Sequence, residues 1–168
     1  MNKTILLFGF AILIVACTSK TEVKTAETKT VDKDSIRTII ESMEARYAKG
    51  LETRSIDDIM AYYSSDIKSF EAGSEPIMGA EAMKKMTTEM FAKMPKRMKI
   101  KMESTDMIIS NDGGVVSETG GYRATDSLGN EFASGHFLAT FEIKDGQYKC
   151  TREMVASNKK PEHKEEKK

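Results

Sequence analysis

The chain predicts an α+β domain in which three helical segments come first and a curved antiparallel sheet follows, with the helices packed on its concave face. Three observations lead there. Apolar residues recur at three- and four-residue steps between Ile36 and Met94, they alternate with polar residues from Met98 onward, and turn-forming Gly, Asn and Asp residues separate the alternating runs.

Ile36, Ile39, Ile40, Met43, Tyr47 and Leu51 share one face of a long helix, with Arg37, Glu41, Glu44 and Lys49 outside it. Ser55 followed by Asp58 has the spacing of a capping box, and Ile56, Ile59, Met60 and Tyr63 continue the apolar spacing into a shorter helix. Ser64-Ser65-Asp66 interrupts it, and Ile67 to Glu71 is branched and short enough for a strand. A turn follows at Ala72 to Pro76, then a third helix with Met83, Met86, Met90 and Met94 on its apolar face and Pro95 as its stop. Met98, Ile100 and Met102 alternate, whereas Met107 and Ile109 have switched parity, which predicts a bulge between Ser104 and Asp106. Asn111 to Gly114 marks a hairpin. Val115 to Asp126, Glu131 to Lys144 and Gln147 to Ser157 complete a four-strand meander.

Composition excludes some classes. Acidic and basic residues balance at 26 each, and no basic tract is interleaved with aromatics, so nucleic acid is not an expected partner. There are 2 histidines and 2 cysteines; His163 lies in a charged tail, so His136 has no cluster to join and neither a metal nor a cofactor is expected. Cys150 reads as a small buried hydrophobe, and Arg152, two residues away on the same strand face, is a cation that could activate it.

The amino terminus carries a location. Lys3, the apolar run Ile5 to Val15 and Ala16-Cys17 resemble the lipobox of bacterial lipoproteins, in which the cysteine is lipidated and becomes the mature N-terminus. The organisation expected is a signal peptide over 1–16, a tether over 17–33, the domain over 34–158 and a charged disordered tail over 159–168. Cys17 would then hold the chain on a cell-envelope membrane, the outer one favoured because Thr18 follows it.

From Asp34 to Asn158 the chain resembles the nuclear transport factor 2-like superfamily, the cone-shaped (cystatin-like) fold that includes SnoaL-like proteins and steroid isomerases. The residues that carry this are the Tyr47 helix, Ser55-Ile56-Asp57-Asp58-Ile59, Tyr62 to Asp66, Gly73-Ser74-Glu75-Pro76 to Met83, Gly135-His136-Phe137 and Asp145 to Lys149. The resemblance implies a pocket inside the cone. Isomerases of this type use a carboxylate base, a helix tyrosine and a protonated acid; Tyr47 and Glu71 match the first two positions, but Phe137-Leu138-Ala139 offers no acid for the third. The expected pocket residues are Tyr47, Tyr63, Glu71, Met86, Met90, Glu118, Tyr122 and Arg152, with Glu118 and Arg152 together in the cone either as a mutually neutralising pair or as groups that recognise a polar part of the ligand. The expected role is binding of a small, largely apolar ligand without catalysis. Its alternatives are an isomerase, dehydratase or hydrolase acting through Glu71 and Tyr47, or a homodimerising module whose exposed sheet face carries His136 and Thr140.

Overall fold

The computed structural model describes residues 31–159. The expected signal peptide, Cys17, nearly all of the tether and the tail beyond Lys159 lie outside those residues.

Helix α1 spans Lys33–Thr53, and Asp32 caps it by accepting from the Ser35 backbone N–H at 3.1 Å and the Ser35 hydroxyl at 2.6 Å. The helix therefore starts inside the stretch assigned to the tether. It ends at Arg54, whose left-handed backbone (φ 59°) lets its N–H reach the carbonyls of Gly50 and Leu51. The Arg54 guanidinium then donates to the carbonyls of Phe91, Met94 and Pro95 at 2.6, 3.0 and 2.9 Å. One side chain thus ties the end of α1 to the end of α3 (Ala80–Lys93) by satisfying carbonyls left open where α3 stops.

Helix α2 is a short turn, Ile56–Met60, with the Ser55 hydroxyl accepting from the Asp58 N–H as its sequence predicts. Strand β1 is Tyr63–Glu71 and β2 is Ile77–Met78; β3 is Met98–Ile109, β4 Val115–Asp126, β5 Glu131–Lys144 and β6 Gln147–Ser157. The spatial order is β2-β1-β6-β5-β4-β3. The meander β3 to β6 is antiparallel as expected, but β1 lies parallel to β6, so the sheet is mixed. The β5–β6 turn holds Asp145 and Gly146 at φ 51° and 76°, the two positive angles of a tight twisted hairpin.

Three further expectations change. Strand β1 begins at Tyr63, four residues ahead of Ile67, because Tyr63 pairs with Cys150 before the register shifts near Lys68. In α1 the buried stripe is Ile36, Ile40, Glu44 and Leu51, whereas Ile39 is 45% exposed. In α3 it is Met83, Thr87 and Phe91, with Met86, Met90 and Met94 half-buried along its margin. A four-residue step allows each stripe, and the sheet beneath selects among the faces.

Because β3 is one of the two edge strands, its outward backbone groups need cover. Side chains from α1 supply some of it: Glu52 accepts from the Ile100 N–H at 3.1 Å, and the Lys33 ammonium donates to the Ile109 carbonyl at 3.2 Å.

Candidate functional site

Tyr62 and Tyr63 are both buried because the chain turns there from α2 into β1 and delivers consecutive side chains to the interior. Tyr47 of α1 completes the cluster. Its ring centroid is 4.7 Å from that of Tyr62 and 5.8 Å from that of Tyr63, and Phe141 meets Tyr62 edge-on at 5.5 Å.

The polar end of this cluster is Glu153. The parallel pairing of β1 with β6 sets Ser69 directly beside Glu153, and the Ser69 hydroxyl donates to Oε1 at 2.7 Å. The Tyr63 hydroxyl lies 3.3 Å from both carboxylate oxygens and 3.1 Å from the Tyr47 hydroxyl. A phenol has one proton, so with Tyr63 donating to Glu153, Tyr47 donates to Tyr63. Burial raises the Glu153 pKa and the charge of Glu71 adds to this, while the Ser69 and Tyr63 hydrogen bonds oppose it. Burial also holds the Tyr47 and Tyr63 phenols well above their ordinary range, so both remain donors. Among the described residues Oε2 accepts one bond, at 3.3 Å, and retains capacity for a ligand's N–H or O–H.

Tyr47, Tyr63 and Glu153 thus come together, and Glu153 and Ser69 are the members the sequence did not single out. The reason is a one-residue bulge. Phe141 pairs with Cys150 and Thr140 with Arg152, leaving Thr151 as the extra residue. Parity reverses there, so Glu153 turns inward and Arg152 outward. Arg152 does not face Glu118; it donates to Glu142 at 2.7 Å on the exposed side. The same reversal removes the cation expected beside Cys150, whose buried thiol is pushed well above its ordinary pKa and is a poor nucleophile.

Met86, Met90 and Tyr122 are half-buried, as are Ile100, Met102 and Phe132, and these side chains form an apolar margin to the core. Glu71 is exposed at the end of β1, close enough to Tyr122 to raise its phenol after burial has done so. A base in a dry pocket is what enolate chemistry needs, and Glu71 does not meet that requirement. His136 is exposed on the opposite sheet face from Phe137 and Ala139. Among the described residues no group of three or more His, Cys, Asp or Glu is placed to hold a metal ion.

Glu118 belongs to a second polar group on the inner face, which touches the tyrosine cluster only through the charge that Glu44 exerts on Tyr62. It is fully buried near Glu44 of α1 and Ser104 of β3, and the Glu44 pKa is pushed up to about 8, first by burial and then by the Glu118 charge. Two open grooves flank α1. One of about 400 Å³ is lined by Ile39, Met43, Tyr62 and Tyr148, and the other, of about 830 Å³, runs between α1 and β3.

A family model described as SnoaL-like domain matches residues 40–152. Among solved structures, a protein of unknown function with a cystatin-like fold from Nostoc punctiforme is 14% identical, with a TM-score of 0.63 over 79% of this chain and 96% of its own. An NTF2-like protein of unknown function from Pseudomonas putida is 16% identical, with a TM-score of 0.64 over 77% of this chain and 91% of its own. A hexachlorocyclohexane dehydrochlorinase (LinA) Type2 is 14% identical, with a TM-score of 0.65 over 76% and 88%. No curated protein matches the chain.

Proposed function

We propose a binding role for a chain that belongs to the SnoaL-like domain family: its inner face takes a small, largely apolar ligand bearing one hydrogen-bond donor, and an acylated Cys17 holds it on a bacterial envelope membrane. The observation that carries the first part is Glu153, a half-buried residue whose carboxyl is fixed by Ser69 and Tyr63, with one oxygen still able to accept. A few placed polar groups in an apolar surround are the usual make-up of a small-molecule site, and the half-buried Met86, Met90 and Tyr122 supply candidates for the apolar wall.

Binding is favoured over turnover because Glu71 faces solvent and the Tyr47 hydroxyl is already engaged with Tyr63. The similar structures include both a dehydrochlorinase and proteins of unknown function, and fold alone does not choose between them. Native mass spectrometry of the full chain extracted from membranes is expected to show a stoichiometric small molecule that Glu153→Gln depletes. Bare wild-type protein in that experiment would sink the proposal. In the same preparation Cys17→Ser should move the chain to the soluble fraction, and retention of this variant on the membrane would remove the anchor.

A second reading, a homodimer through the outer sheet face, has its own observation. Strand register places Met154 beside both Phe70 and Leu138, and these three outward side chains are 58%, 38% and 45% exposed. Such an apolar row across three strands suits a self-complementary contact. Sizing chromatography is expected to show a dimer that Met154→Lys converts to monomer, and a monomeric wild type would dispose of it.

A further inference from the structure

Four of the five buried side-chain oxygens without a hydrogen-bond partner among the described residues belong to one place: Glu44 Oε1, both oxygens of Glu118, and Ser104 Oγ. Glu118 has no exposed surface and Glu44 only 5%. Buried carboxyl oxygens without donors are costly, and native interiors rarely keep them so. Three elements converge to make the cluster. Glu44 comes from the buried stripe of α1, and Glu118 comes from the inward parity of β4. Ser104 sits where the β3 bulge begins, its partner Gly120 being two residues from Glu118.

Two of the cations nearby are engaged elsewhere. Lys49 pairs with Glu52 at 3.6 Å, and Lys101 pairs with its own strand neighbour Glu103. Arg37 acts on Glu118 weakly, behind burial, Ser104, Glu44 and the opposing charge of Glu41. Glu44 and Ser104 also line the α1–β3 groove, and behind them lies Glu118. Ala45 and Ala48 leave room on the helix side, with Ile100 and Met102 opposite them on β3. Hard divalent cations want six or more oxygens in a tight shell, and two carboxyls with one hydroxyl fall short of that. Those groups match the three donors of a primary ammonium, with the small and apolar side chains left for an alkyl body.

We propose that the α1–β3 groove binds a protonated primary amine on a short apolar chain, its ammonium seated among Glu44, Glu118 and Ser104. The Ser104 hydroxyl and the proton the two carboxyls share reach Glu118 but leave the pair without a cation; the ammonium adds donors and charge, lets both carboxyls ionise, and so releases a proton from the pair on binding near neutral pH. This site is separate from the Glu153 cluster and does not depend on the function proposed there.

The test is titration of the full-length chain with hexylammonium and, in parallel, with hexanol, its uncharged counterpart. Calorimetry in two buffers of different ionisation heat is expected to show saturable hexylammonium binding with proton release, and at least tenfold weaker binding of hexanol. Glu118→Gln should weaken the amine at least tenfold. Ala45→Gln, at an exposed position on the groove wall, should also weaken it while leaving the pair's titration intact. Equal binding of hexanol, binding without proton release, or no binding of the amine each overturns the proposal, the last leaving a pair that only shares a proton.

Discussion

Glu118→Gln is expected to make the protein more stable at pH 8.5 than the wild type, by about 1–2 kcal/mol, and to flatten the dependence of stability on pH. The sign follows from where the protons sit. Glu44 is pushed from an ordinary value of 4.5 up to about 8, so between those limits the native state holds a proton that the unfolded chain has released. Stability is therefore undiminished below about pH 4.5 and declines as pH rises through 8. In the wild type this decline should be on the order of 2–3 kcal/mol, less than the full displacement implies because Glu44 borders the α1–β3 groove and solvent there screens its charge. Glutamine at 118 removes one of the two charges, keeps a carbonyl that can accept from the Ser104 hydroxyl, and brings an N–H donor toward Glu44 Oε1. Urea unfolding at pH 5, 7 and 9 reads this directly. Equal slopes for variant and wild type would mean that the carboxyls do not share the protons assigned to them.

This pair also shows what the sequence could and could not reveal. Periodicity placed Glu44 outside the apolar stripe, since an amphipathic reading assigns a charged residue to water. Yet Ile36, Ile40 and Glu44 stand at four-residue steps, and α1 lies on the sheet along that line, leaving Ile39 exposed. Nothing local distinguishes Ile39 from Glu44 as the buried member. The partner that makes the choice intelligible, Glu118, lies 74 residues on, roughly 20 turns of α-helix away in sequence terms. The elements themselves were legible. Strands β4, β5 and β6 have the predicted bounds, and the β3 bulge sits between Ser104 and Asp106 where the parity of Met102 and Met107 indicated. Those signals are short-range, set by alternation and turn chemistry.

The Glu153 cluster failed to emerge for a different reason. Arg152 and Glu153 are adjacent, and only one can face inward. The Thr151 bulge decides between them, and it lies where Cys150, Thr151 and Met154 present no clean apolar alternation to interrupt. In β3 the apolar residues on either side of the bulge report the change of parity; in β6 they do not. A slip of one residue exchanges every later side chain between faces, so Arg152 and Met154 moved outward together and Glu153 moved inward with Val155. The pairing of β1 with β6 was equally silent, because a parallel pair between the first strand and the last leaves no turn to read.

The largest single effect is expected at Gly120, and its neighbour provides the control. A Cβ on Gly120 would lie 2.6 Å from the Glu103 carbonyl oxygen and 2.4 Å from the Phe137 ring. The first obstacle is backbone of the paired strand and cannot swing aside; the second is a buried ring on β5, opposite Gly120 in register. Gly120→Ala should therefore cost about 3–5 kcal/mol, seen as a lower urea midpoint at unchanged m-value. It should also disturb the amine site, since Ser104 pairs with Gly120 and Glu118 is two residues away. On Gly121 a Cβ meets nothing closer than 3.5 Å and points to the outer face beside His136. Gly121→Ala should then be neutral or stabilising by about 0.5–1 kcal/mol, because alanine has less backbone freedom to lose on folding. Two adjacent glycines with opposite responses to one methyl group follow only if β4 has the register that turns Gly120 and Glu118 inward. Similar responses from both would overturn that register, and with it the placement of Glu118.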